Sequence, residues 1–66
     1  MDTVAIVEDL LEERNLTMYK LSVLCDISYS TLKNTKARQG QLTIDTIEKI
    51  CHGLGIAVAE FFTGRG

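Results

Sequence analysis

The stretch Leu16–Asn34, LTMYKLSVLCDISYSTLKN, constrains this chain more than any other part of it. Thr17 is a good N-cap, and Leu21, Leu24 and Cys25 follow at helical spacing as an inward face. Ser22 is small enough to let two helices approach closely. Asp26 tolerates a left-handed backbone and fits a tight turn. Ile27 then plugs the core, and Ser28 caps another helix that begins at Tyr29. The spacing predicts two short helices, about 18–25 and 29–39, meeting across a turn, with Gly40 ending the second. Leu32 is that helix's firm inward anchor, with Thr35 three positions on. Tyr29, Ser30, Lys33 and Asn34 fall on its other face.

Three further helices and no strand are predicted around this pair. The first covers about 3–14, capped by Asp2 or Thr3, with Val4, Val7, Leu10 and Leu11 as the buried stripe. Its Glu8, Asp9, Glu12 and Glu13 form a wet face, and Asn15 suits the left-handed residue after it. Thr43 caps a helix over about 44–54, where Ile44, Ile47, Ile50, Cys51 and Leu54 line one side and Gly55 is the breaker. A short helix over about 57–62 carries Phe61 and Phe62, followed by a frayed tail over 63–66. No repeat, linker or low-complexity segment interrupts the 66 residues, so one domain is expected.

Composition excludes several function classes. Apolar residues make up 45% of the chain, enough for a folded core. There is no proline, which favours helices over a turn-rich sandwich. No apolar run approaches the roughly 18 residues of a membrane span, and the acidic N-terminus lacks a signal-peptide pattern. The cytoplasm is the expected location. Cys25, Cys51 and His52 are too few for a tetrahedral zinc site, and the cysteines read as reduced, buried thiols. No metal or cofactor is expected. Catalysis finds no support either. One histidine would have to serve every serine and threonine, and no glycine loop cradles a phosphate.

Charge is segregated along the chain. The net charge is −2. Residues 17–43 nevertheless hold Lys20, Lys33, Lys36 and Arg38 against Asp26 alone, a local balance of +3. The remainder carries three basic and eight acidic residues, a balance of −5. A one-sided positive field can steer a polyanion toward that segment even when the whole molecule is acidic.

These residues, in this order, resemble the Cro/repressor helix-turn-helix family, also called the xenobiotic-response-element family. The resemblance rests on Leu16–Thr17, Leu21–Ser22 and Ile27–Ser28–Tyr29–Ser30–Thr31–Leu32. It continues through Thr43–Ile44–Asp45–Thr46–Ile47, Lys49–Ile50, Leu54–Gly55–Ile56 and Glu60–Phe61–Phe62, so it covers Val4 to Phe62. It implies an all-α, compact five-helix, lambda-repressor-like domain. The sequence departs from the family at Met18, where a polar amide or Glu is common, and at Asp26, where Gly is usual. It also departs at Thr35, in place of a large apolar residue, and at Arg38, where the family often has Gly.

The resemblance also implies roles. The helix from Tyr29 to Gln39 would be the recognition helix, and Tyr29, Ser30, Lys33 and Asn34 would face bases in the major groove of double-stranded DNA. Backbone N–H groups near Thr17 and Met18 would hold a phosphate oxygen. Ser28, Thr31, Lys36, Arg38 and Gln39 are the candidates for further phosphate contacts. A transcriptional regulator binding as a homodimer is the first expectation. Two readings of Phe61 and Phe62 stay open: both complete the core, or Phe62 with Val58, and Phe61 beside them, forms a dimer surface. His52 and the acidic side of the first helix read as solvated. The alternative function is a protein-interaction module of the same fold that binds another regulator or a toxin. An enzyme accessory subunit has no specific support.

Overall fold

The computed structural model describes residues 1–63, and five helices carry most of them. They are α1 (Thr3–Arg14), α2 (Met18–Cys25), α3 (Tyr29–Ala37), α4 (Ile44–Leu54) and α5 (Val58–Thr63), with no strand among the described residues. Three N-termini are closed by the residues their chemistry favours. Asp2 accepts from the Ala5 N–H, Thr17 from Lys20 and Thr43 from Thr46. Thr3 is thus the first helical residue rather than the cap.

All four of the longer helices end the same way. A residue in the left-handed region follows α1, α2 and α4 directly and α3 one residue later, and paired bonds close the last carbonyls. After α1, Asn15 N–H donates to Glu12 O and Leu16 N–H to Leu11 O. After α2, Asp26 and Ile27 donate to Val23 and Ser22; after α4, Gly55 and Ile56 donate to His52 and Cys51. Asn15, Asp26 and Gly55 have φ of 60°, 56° and 72°.

The end of α3 differs from the expected one. The helix stops at Ala37, not 39. Gln39 takes the left-handed position at φ 56°, and Gly40 only supplies the N–H that reaches Thr35 O at 2.9 Å. The chain has thus put its glycine one position late. α5 is also shifted by one residue, and Thr63 closes it with its hydroxyl on Ala59 O. The expected frayed tail lies outside the described residues from position 64 onward.

The core gathers Val4, Val7, Leu10 and Leu11 of α1, Leu21 and Cys25 of α2, and Leu32 of α3. Ile47, Ile50 and Cys51 of α4, Phe61 of α5 and the loop residue Leu42 complete it. Two expected inward residues point elsewhere. Leu24 is 48% exposed and Ile44 59% exposed. α2 is only eight residues long and buries Leu21, Ser22 and Cys25, while Leu24 lines an open recess beside α4. Ile44 opens α4, ahead of the turn that reaches the core.

Gly53 makes the α2–α4 contact possible. A Cβ there would overlap Cys25 Sγ and lie 3.2 Å from Cys25 Cα. Ile27 is only partly buried, packing on the core's margin.

Candidate nucleic-acid interface

α3 is presented outward by the turn at Asp26 and anchored inward by Leu32 alone among its large apolar residues. Thr35 is buried, and its hydroxyl donates to Thr31 O at 2.8 Å, so the polar group carries no unpaired cost. That bond explains how threonine serves where an apolar residue was expected. The opposite side of α3 is open. Tyr29, Ser30, Thr31, Lys33, Asn34, Lys36 and Arg38 are all exposed. The four residues expected to face bases therefore share one accessible side.

α2 borders this surface with its N-terminus. Thr17 Oγ1 accepts from Lys20 N at 3.1 Å, and the first intrahelical bond runs from Leu21 N to Thr17 O. The Met18 and Tyr19 N–H groups stand ahead of that bond, at the positive end of the helix dipole. The Met18 side chain is half-buried and lines a groove of about 470 Å³ with Tyr29, Leu32, Lys33, Lys36 and Ala37. The methionine thus forms an apolar wall between α2 and α3. Ser28 occupies the N-cap position of α3, but its hydroxyl makes no capping bond. That leaves the oxygen available to an outside partner.

The basic residues are not equivalent. Lys36 Nζ pairs with Glu8 Oε2 of α1 at 2.6 Å. The Glu8 hydrogen bond, then its charge, holds the Lys36 ammonium above its ordinary range. Lys36 therefore stays cationic, but a carboxylate already answers its charge. Lys33 has another neighbour: its ammonium lies 5.5 Å from the centroid of the Tyr29 ring, within cation–π reach. Tyr29 in turn meets Tyr19 of α2 edge to face, with centroids 5.5 Å apart and planes at 82°. Gln39 stands beyond the end of α3 on its left-handed backbone, beside exposed Arg38.

Sequence reasoning missed two participants. Tyr19, 62% exposed, joins the edge of the surface. Its signal was an aromatic residue on the polar side of α2. Glu8 reaches the surface from α1, and no spacing rule relates it to Lys36.

The suggested dimer residues divide. Phe61 is fully buried because α5 folds it into the core, so it presents no surface. Phe62 is half-buried and touches the Phe61 ring at 5.0 Å, while Val58 is 38% exposed.

A second recess of about 620 Å³ opens between α2 and α4 at Leu24, Asp26, Asp45, Lys49 and His52. It holds no cluster of metal-ligating residues, and none exists among the described residues. No helix there is long and apolar enough to cross a membrane.

Comparison with known proteins agrees with this geometry. The family model described as the Cro/C1-type HTH DNA-binding domain matches residues 7–63. The chain belongs to that family. No curated protein and no solved structure matches the chain.

Proposed function

We propose that this Cro/C1-type domain is a sequence-specific, double-stranded DNA-binding transcriptional regulator that places α3 in the major groove. The observation that carries the reading is the open side of α3. It presents Tyr29, Ser30, Lys33 and Asn34 together, beside the capped N-terminus of α2. Lys33 suits guanine O6 and N7, and Asn34 suits adenine N6 and N7. Thr17, Met18, Ser28, Thr31, Arg38 and Gln39 flank that side and would fix register through phosphates.

The regulator would act as a homodimer. Two copies would set their α3 helices about 34–36 Å apart on one side of the duplex. Val58 and Phe62 are the accessible apolar candidates for the contact between copies. Pairing supplies the avidity that one weakly basic subunit lacks.

A second reading, a module that binds another protein, is favoured by one feature: the pairing of Lys36 with Glu8 removes a free cation from the DNA-facing surface.

Selection from random duplexes tests the proposal. Enrichment of a palindromic site supports both the DNA reading and the dimer. With six or more phosphate contacts, affinity for that site should fall about a thousandfold between 50 and 200 mM salt. No enriched sequence, with affinity flat in salt, would overturn it.

A further inference from the structure

We propose that Tyr19 is a specificity-determining positioning residue. Its ring fixes Tyr29 as a wall that receives a thymine methyl next to the guanine read by Lys33. The inference rests on the DNA reading above and adds a residue from α2 to it. Tyr19 sits outside the recognition helix, yet its ring meets the Tyr29 ring edge to face. Tyr29 is the point where three things converge. It meets Tyr19 edge to face, it lies under the Lys33 ammonium, and it lines the groove with the apolar Met18, Leu32 and Ala37 and the stems of Lys33 and Lys36.

A lone exposed tyrosine at the start of a helix samples several rotamers, and each ordering step costs entropy on binding. The α2 ring removes that freedom beforehand. An edge-to-face aromatic pair shifts such an equilibrium about two- to tenfold. Fixing Tyr29 also restricts where the Lys33 ammonium rests, since it lies 5.5 Å from the centroid of that ring. Lys36, one turn along, is drawn toward α1 by Glu8 instead.

The arrangement therefore sets a cation beside an apolar groove wall. That pairing of chemistries matches a guanine edge followed by a 5-methyl group, because the major groove displays guanine O6 and N7 and the thymine methyl side by side.

The experiment uses the duplex selected by the full chain, with each thymine of a half-site replaced in turn by deoxyuridine. That change removes only the methyl. One replacement should weaken binding of the unaltered protein about fourfold, the worth of one buried methyl. Tyr19→Ala should bind the thymine duplex more weakly by the same factor and lose its response to the methyl. Tyr19→Phe keeps the ring and should behave like the unaltered protein. Affinity for unselected duplex should not move in either variant; Tyr19→Phe should melt like the parent, and Tyr19→Ala should stay folded and melt a few degrees below it, the loss of one exposed ring pair.

Several results would overturn the inference: methyl sensitivity that survives Tyr19→Ala, no methyl sensitivity in the parent, or Tyr19→Phe failing as Tyr19→Ala does. The last would make the phenol a phosphate contact. Each of these leaves the DNA reading standing. A parent protein that selects no duplex overturns both.

Discussion

Replacing Gly53 by alanine perturbs the close approach of α2 and α4. The new Cβ would overlap Cys25 Sγ and lie 3.2 Å and 3.3 Å from Cys25 Cα and Cβ. Rotating the thiol away does not relieve the backbone approach, so α2 and α4 must separate by a few tenths of an ångström. Overpacking of this kind costs about 1–3 kcal/mol. Alanine returns up to about 1 kcal/mol of helix propensity, less here because the site is near the end of α4. The net loss should be about 1–2 kcal/mol.

A domain of this size holds about 3–10 kcal/mol in total, so the loss is large. The melting temperature should fall by about 5–15 °C, followed by circular dichroism at fixed protein concentration. The thiol provides a control. Cys25→Ala removes the Sγ and should cost less in the Gly53→Ala background than in the parent, with a coupling of about 1 kcal/mol. A Gly53→Ala protein as stable as the parent would refute the argument that this contact governs the α2–α4 spacing, and costs that simply add would assign the whole clash to the Cys25 backbone rather than to its thiol.

Other outcomes follow from the surface and the buried thiols. Lys33→Ala should weaken binding to the selected duplex by about 1–3 kcal/mol and relax base preference at one position, read by repeating the selection with the variant. Glu8→Gln should release Lys36 to a phosphate. Affinity should then rise and the salt dependence steepen by about one unit per subunit, seen in titrations at several salt concentrations. Gln39→Gly should stabilise the fold by about 1 kcal/mol in urea unfolding, because glycine carries no Cβ penalty at φ 56°. If Gln39 also touches a phosphate, that same variant binds DNA less well. Burial pushes both the Cys25 and Cys51 thiols up, aided by Cys51 for Cys25 and by Glu48 and Glu60 for Cys51. A raised acid favours its neutral form in the folded state, so its stabilising share is complete below the ordinary thiol range and is lost as pH climbs through the raised values. Stability should therefore decline at alkaline pH, and alkylation at mildly basic pH should be slow when folded and fast in urea.

Much of this was legible in the residues. The N-caps Thr17 and Thr43, the left-handed Asn15, Asp26 and Gly55, and the buried stripe of α1 follow from local chemistry that acts within one turn. The helix borders at α3 were less legible. A glycine at 40 is a stronger local signal than a glutamine at 39, but the paired bonds to Lys36 and Thr35 fix the left-handed residue one position earlier. Leu24 and Ile44 obey helical periodicity yet are exposed, because periodicity gives a direction and not the extent of the neighbouring helix. At the surface, the side of α3 was readable from spacing. Its second layer was not, since the Tyr19–Tyr29 stack and the Glu8–Lys36 pair join residues ten or more positions apart that only tertiary packing brings together.

Thr3 is a buried polar residue with reach beyond its own helix. Its N–H and its hydroxyl both donate to Gln41 Oε1, at 2.9 and 2.8 Å, and its hydroxyl oxygen accepts from Leu42 N at 2.8 Å. One small side chain near the start of α1 thus latches the connector that follows α3. Trimming the first residues, or fusing a tag that displaces them, would loosen that connector and with it the far end of α3. A handle fused at this end therefore risks making the protein look like an intrinsically poor DNA binder.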